Sequence, residues 1–491
     1  MRQAATDVGP ARGTLARIGL ISGAAVAIAI LLIPAPMGLS VPAWRTAAVG
    51  ALMAIWWMTE AIPIPATALL PLALFPLLGV ADISEAAAPY ANPLIFLFLG
   101  GFIVAIAMAR WSLHRRIALR IIHLVGVQPR RIVTGFAISA AFLSMWVSNT
   151  ATALMMLPIG LSIVELVQRR ADPAASPSDD GGKFATCLVL TIAYACSIGG
   201  MATLIGTPPN AFFAGFMLET YGRSIGFLEW MGIGLPLVIC TLPILVLMLT
   251  RLLFPFRILE IHGGRQFVAD SLVRLGPLSR GERLVAIVFT ATAFLWISRP
   301  LLESVLPGLS DAGIAITMGL VLFILPVDAG RGEFVLRWKD AEKVPWGVLI
   351  LFGGGLSLAS AIDQTGLAAW IGVQAAALGG WHPFILILAV VATIVLLTEL
   401  TSNTATAAAF VPIAASMAVG LGYDALMFAV PVTLGASAAF MLPVATPPNA
   451  IVYGTGMVSI PQMARGGLAL NLIFAVLLSA AGYLLVPVLF A

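Results

Sequence analysis

Residues 148–153 read Ser-Asn-Thr-Ala-Thr-Ala, and residues 402–407 repeat the same six at an offset of 254 (402 − 148). Pro158 and Pro412 follow at that offset. A second pair lies downstream, Thr207-Pro208-Pro209-Asn210-Ala211 and Thr446-Pro447-Pro448-Asn449-Ala450, offset by 239 (446 − 207). These motifs offer hydroxyls, amides and helix starts but no ionisable group. Thr followed by Pro suits an N-cap with proline at the first helical position, where its missing N–H costs nothing. Each Ser-Asn-Thr precedes an Ala-rich run and can cap it. The free N–H groups and positive dipole end of such a start favour a carboxylate or sulfate. Carbonyls freed where a helix breaks, joined by Ser, Thr and Asn oxygens, suit a hard cation such as sodium. No Arg or Lys stands in these segments, so the cation would supply the positive charge an anion wants. One triplet alone is an ordinary cap or interhelical hydrogen bond. Two at one offset, each with a Thr-Pro-Pro-Asn partner, read as a duplicated binding site.

The repeat singles out further positions. Ser144 and Thr398 each lie four residues before a triplet, on one helical face with it, and Gly206 and Ala445 each precede a Thr-Pro. Glu60, Asp363 and Glu399 stand near apolar segments, where acids can relay protons or bind cations; Glu399, three residues before Ser402, is the best placed. Cys187, Cys196 and Cys240 fall in apolar segments and read as packing residues, and His114, His123, His262 and His382 lie in or beside loops without metal-ligand spacing. A convergent catalytic set is missing, so neither an enzyme, an organic cofactor nor a nucleic-acid partner is expected.

The elements that must position these residues lie in a membrane. The chain is 60% hydrophobic and 10% charged, against about a quarter charged in soluble domains. Eleven apolar runs, at about 19–34, 46–59, 62–80, 93–109, 184–204, 230–250, 284–297, 312–326, 345–362, 425–445 and 466–490, reach or approach a spanning length. The regions about 132–167 and 383–419 are additional, each long enough for a re-entrant helical hairpin with Ser-Asn-Thr at its bend. Arginines at 110–131, 251–283 and 331–343 mark cytoplasmic loops, whereas the ends of the second hairpin carry no Lys or Arg. The first hairpin then enters from inside and the second from outside. The N-terminus is expected in the cytoplasm and the C-terminus outside.

The parsing that follows is 1–44 for the N-terminus and first spanning helix, 45–256 for repeat 1, 257–283 for a cytoplasmic linker and 284–491 for repeat 2, upside down relative to the first. Phe98, Gly100, Gly101, Ala107 and Leu113 match Phe352, Gly354, Gly355, Ala361 and Leu367 at the 254 offset. The glycines read as close helix packing. The smaller downstream offset is attributed to a polar loop, Ala171 to Lys183, in the first copy.

With Trp57-Met58-Thr59-Glu60-Ala61-Ile62-Pro63, Pro345-Trp346-Gly347 and both copies of the two motifs, nearly the whole chain resembles the divalent anion/sodium symporter family. The resemblance implies an all-α polytopic membrane protein of eleven spanning helices and two re-entrant hairpins, an elevator motion and a homodimer, in a bacterial inner membrane. It further implies one sodium at Ser144, Ser148, Asn149 and the Gly206 region, and a second at Thr398, the Thr401 carbonyl, Asn403 and the Ala445 region. Substrate would meet Ser148, Asn149, Thr150, Ser402, Asn403 and Thr404, with Thr207, Pro208, Thr446 and Pro447 nearby. The cargo expected is a four-carbon dicarboxylate such as succinate, malate or fumarate, imported with sodium. A sulfate or citrate carrier, or a dicarboxylate exchanger, of the same architecture is the alternative.

Overall fold

Backbone polar groups in hydrocarbon must be satisfied within their own segment, so an apolar chain of this kind becomes helical. The structure, a computed structural model, describes residues 10–169, 180–258, 260–261, 263–377 and 379–490. The polar connection after Arg170 falls largely outside these, as do His262 and Ala491. Each of the eleven apolar runs carries helix: Pro10–Leu32, Val41–Thr59, Ile64–Thr67 with Leu70–Leu77, Pro93–Arg110, Asp180–Gly200, Phe227–Leu247, Arg280–Leu302, Asp311–Ile324, Trp346–Gln364, Leu426–Ala436 and Ile460–Ala480. Among the described residues, 9 helical segments are long and apolar enough to cross a membrane, including the second arm of each hairpin.

The structure departs from the sequence reading in four places. The run 62–80 is split at Ala68 and Leu69, next to Pro71, into two short helices. The run 425–445 is helical only to Ala436. The linker 257–283 is no plain loop but holds a helix, Gly264–Arg274, packed against Leu113–Val125. A two-stranded antiparallel ribbon, Pro326–Asp328 with Glu333–Phe334, interrupts the otherwise helical chain.

The duplication is visible element by element. The first hairpin is Pro129–Ser144 and Asn149–Arg169, and the second is Pro383–Leu397 and Asn403–Gly420; both arms start at the 254 offset (383 − 129 and 403 − 149). Pro158 and Pro412 sit inside the second arms, and one turn on, Ser162 Oγ donates to the Pro158 carbonyl at 2.9 Å as Ser416 Oγ donates to that of Pro412 at 2.8 Å. Each copy then has a broken helix: Asp180–Gly200 followed by Pro208–Tyr221, and Leu426–Ala436 followed by Pro447–Tyr453. The copies interlock, because Pro447–Tyr453 packs on Asn149–Arg169 and Pro208–Tyr221 on Asn403–Gly420. Phe98 meets its own repeat mate Phe352 edge to face, ring centroids 5.2 Å apart. The glycines beside these rings serve close packing: a Cβ on Gly100 would lie 2.4 Å from the Ala315 carbonyl carbon, and one on Gly354 2.1 Å from the Ala68 oxygen.

Long-range polar bonds sort the connections into two groups. In one, Arg110 pairs with Asp340, Trp111 Nε1 donates to the Val335 carbonyl at 2.9 Å, and Arg116 binds Glu282 at 2.9 Å and the Gly276 carbonyl at 2.9 Å. In the other, Ser40 Oγ donates to the Thr365 carbonyl at 3.1 Å, and Asn92 Nδ2 to Glu219 at 3.2 Å. The same group contains Arg223 on Asp424 at 2.9 Å and on the Phe490 carbonyl, and Arg299 on Asp311 at 3.0 Å. The arginine-rich loops thus bind one another, and Arg223 ties Asp424, just beyond the second hairpin, to Phe490.

Candidate ion and anion site

Ser-Asn-Thr interrupts an apolar run because three short polar side chains offer the backbone alternatives to the helical bond. In the first copy, residues 145–148 form the bend and the next helix begins at Asn149. Ser144 is fully buried at the end of the first arm, and its Oγ lies 2.5 Å from Asn149 Oδ1. In the second copy Thr398 is fully buried, and its Oγ1 lies 2.9 Å from Asn403 Oδ1 and 2.7 Å from the Ala436 carbonyl oxygen. A hydroxyl has one hydrogen to donate. At Thr398 one hydrogen faces two acceptors, so the cluster has more oxygen lone pairs than protons to occupy them.

The broken helices bring carbonyls to these hydroxyls. A Cβ on Gly200 would lie 2.6 Å from Asn149 Oδ1 and 3.1 Å from the Gly206 carbonyl oxygen, so only a residue without a side chain lets the amide oxygen and the carbonyl approach. Ser144, Asn149 and Gly206 are therefore brought to one place. On the other side, Thr398 and Asn403 meet, and Ala445 ends the broken stretch that follows Ala436. Thr401, expected to offer its carbonyl, uses its side chain elsewhere: Oγ1 lies 3.0 Å from the Leu397 carbonyl and 2.6 Å from Thr406 Oγ1. Thr152, the repeat mate of Thr406, is buried with no hydrogen-bond partner for its hydroxyl among the described residues, since Val147 stands where Thr401 does.

Four helix starts bear on the anion question. Thr207 and Thr446 both take extended backbone, φ −143° and −141°, ahead of Pro208 and Pro447. Only Thr446 caps with its side chain, accepting from Asn449 N at 3.3 Å. Ser148 accepts from Ala151 N at 3.4 Å, whereas Ser402 makes no side-chain cap. The start at Asn403 thus keeps its first N–H groups free of a side-chain cap, whereas at Pro208 the two prolines have no N–H and Asn210 N donates to the Thr207 carbonyl at 3.2 Å. Ser148 and Pro447 are exposed, Asn149, Thr150, Pro208, Ser402 and Asn403 half-buried, and Thr207, Thr404 and Thr446 buried. A file of neutral hydroxyls, amides and N–H groups thus borders accessible space within an apolar bundle.

The chain's sequence matches the family described as the sodium:sulfate symporter transmembrane region over residues 16–491. It belongs to that family, the divalent anion/sodium symporters. It is 42% identical over 474 residues to the sodium-dependent dicarboxylate transporter SdcS of Staphylococcus saprophyticus, covering 96% of this chain and 91% of that one. The SdcS protein of Staphylococcus aureus strain MRSA252 is 41% identical over 475 residues, with the same coverage. Among solved structures, the Alcanivorax borkumensis YdaH transporter aligns with a TM-score of 0.58 at 16% identity, over 96% of this chain and 97% of that one. Neisseria gonorrhoeae MtrF aligns with a TM-score of 0.55 at 13% identity, over 97% and 95%. These two likenesses concern the fold alone: an all-helical polytopic membrane transporter fold. The symporter family resemblance drawn from the motifs is thereby shown.

The other candidate residues separate in this symporter. Glu60 caps Val41–Thr59 in the left-handed region, φ 48°, and is exposed; Asp363 is exposed near the end of Trp346–Gln364. Both sit at helix ends, and neither is a hydrogen-bond partner of Ser144, Asn149, Thr398 or Asn403. Glu399 is buried and acts on backbone. Its carboxylate accepts from Phe440 N at 2.7 Å, Met441 N at 2.9 Å, Leu442 N at 3.0 Å and Asn471 Nδ2 at 2.7 Å. It therefore holds the second helix break in shape. Its oxygens are taken up by these N–H donors, which is a different task from the proton relay or cation binding expected of it. Cys187 and Cys196 are buried as expected, while Cys240 is exposed on the outer side of its helix.

The sequence reading missed the amides of Asn210 and Asn449. Both are fully buried. Their signal was present in the repeated Thr-Pro-Pro-Asn, but only three-dimensional distances reveal what they bind.

Proposed function

We propose that this chain imports a four-carbon dicarboxylate such as succinate, malate or fumarate together with sodium. The observation that carries the reading is the twin oxygen cluster, Ser144–Asn149 at 2.5 Å and Thr398–Asn403 at 2.9 Å, each beside a helix break and with a surplus of oxygen lone pairs over protons. A monovalent hard cation relieves such a surplus, and with sodium bound the adjoining helix starts become more favourable for an anion. One sodium is assigned to Ser144, Ser148, Asn149 and Gly206, and the other to Thr398, the Thr401 carbonyl, Asn403 and Ala445. The two carboxylates are assigned to Ser148, Asn149 and Thr150 at one end and Ser402, Asn403 and Thr404 at the other, with Thr207, Pro208, Thr446 and Pro447 alongside. Two similar sub-sites related by a pseudo-two-fold suit a two-ended substrate better than the single centre of sulfate. The names of the staphylococcal relatives, sodium-dependent dicarboxylate transporters, support both parts of the proposal.

The same reading includes inverted repeats, eleven spanning helices with re-entrant hairpins, a homodimer in a bacterial inner membrane and elevator motion of the hairpins and broken helices. The separation of loop contacts into two groups supports the topology, with the arginine-rich group in the cytoplasm. The test is uptake by reconstituted protein of a panel of C4, C5 and C6 acids plus sulfate, with and without a sodium gradient. Sodium-driven succinate uptake is the expected result. Sulfate competing fully where excess succinate does not would make the chain a sulfate carrier, and uptake that requires counter-substrate but no sodium would make it an exchanger.

A further inference from the structure

The last residue of each Thr-Pro-Pro-Asn motif has no part in the site as assigned so far. Asn210 Nδ2 donates to the Thr203 carbonyl at 2.8 Å and the Gly200 carbonyl at 3.1 Å. Asn449 Nδ2 donates to the Leu442 carbonyl at 3.0 Å and the Ala439 carbonyl at 3.3 Å. The partners stand seven and ten residues back in both copies, so the same clamp is built twice at the 239 offset (442 − 203, 439 − 200). An amide nitrogen has two hydrogens, and here both are spent on carbonyls at the end of the preceding helix or inside the break that follows it. Facing carbonyls fix which end of the amide points inward. Each Oδ1 accepts from no donor among the described residues, an unpaired buried acceptor tolerated in both copies.

The clamped stretches are the ones that end at Gly206 and Ala445. Gly200, whose carbonyl Asn210 holds, is also the residue whose bare Cα lets Asn149 Oδ1 and the Gly206 carbonyl come together. Fixing Gly200 and Thr203 therefore fixes the direction of the Gly206 carbonyl. In the second copy, Asn449 holds the carbonyl side of the break while Glu399 holds its N–H side.

We infer that Asn210 and Asn449 are positioning residues of the two cation sites. Each locks one helix break so that its free carbonyl faces the ion, without itself touching ion or substrate. The inference rests on the sodium-coupled reading above. The test uses the full-length protein in proteoliposomes with Asn210→Asp and Asn449→Asp, which keep the side-chain shape but turn an oxygen toward two carbonyls. The sodium concentration for half-maximal uptake rises about ten-fold or more in each variant, a loss of roughly 1.4 kcal/mol per decade. The KM for succinate at saturating sodium stays within about three-fold of the parent, a split that general loosening of the fold would not produce. A sodium curve that does not move in folded variants overturns the inference while leaving the proposed function standing. A parent that needs no sodium overturns the proposed function and the inference together. If the aspartates do not fold, hydrogen exchange of the parent decides: sodium must slow exchange in residues 200–206 and 439–445, and exchange there that ignores sodium overturns the clamp's role.

Discussion

Thr398→Val is the most discriminating substitution because it deletes one oxygen and keeps the branched shape. Thr398 Oγ1 is 2.9 Å from Asn403 Oδ1 and 2.7 Å from the Ala436 carbonyl oxygen, in a fully buried position. If the hydroxyl is a sodium ligand, its removal loses an interaction with a full charge, worth about 1.5–3 kcal/mol. That corresponds to roughly a 10- to 150-fold higher sodium requirement. The Ala436 carbonyl separately loses its donor, at a cost of about 1–3 kcal/mol that appears as a lower melting temperature with or without sodium. Ser144→Ala isolates the first term, because Ser144 Oγ binds Asn149 and has no second carbonyl to abandon. The assay is succinate uptake into proteoliposomes across a sodium titration, alongside thermal unfolding in detergent. Both variants shift the sodium curve to higher concentration, and Thr398→Val alone melts markedly earlier in sodium-free buffer. The reasoning fails if both sodium curves coincide with the parent's, or if succinate KM at saturating sodium moves instead.

The remaining predictions test other parts of the site. Thr150→Ala and Thr404→Ala each remove a hydroxyl from one end of the proposed anion pocket, so each is expected to weaken succinate uptake by about ten-fold or more, with monocarboxylates competing poorly in the parent. Cysteines placed at His114 and His382 in a background without Cys187, Cys196 and Cys240 label from opposite faces of the membrane; labelling of both from one face would refute the inverted topology. Glu399→Gln removes the charge and sets an amide NH2 against backbone donors of 440–442, which costs about 1.5–3 kcal/mol and shows as earlier unfolding. An unchanged melting curve would mean the carboxylate is not what holds that break.

What could be read from the sequence was governed by contrast. A polar triplet inside an apolar run is conspicuous, and its recurrence at one offset announced both hairpins; the helix starts at Pro129 and Pro383, and at Asn149 and Asn403, bear that spacing out to the residue. Hydropathy reports how comfortably a side chain sits in lipid and is blind to where backbone bonds go. Residues 437–445 therefore read as more spanning helix, although the helix stops at Ala436 and the backbone beyond it is tied by Glu399 and Asn449. The Glu399 ties reach across 41 to 43 residues to that backbone and 72 to Asn471, distances over which no periodicity carries information. The copies also diverge where chemistry demanded a different clamp. Met145 offers only its backbone oxygen, to Thr203, at the position where Glu399 offers a carboxylate to three N–H groups. In the proposed two-fold site, unlike clamps give cation pockets of unequal stiffness, since the second break is pinned on both its donor and acceptor sides. Sodium at the second site therefore has less order to impose on binding, and the variants at Ser144 and Thr398 are expected to differ in how steeply uptake depends on sodium.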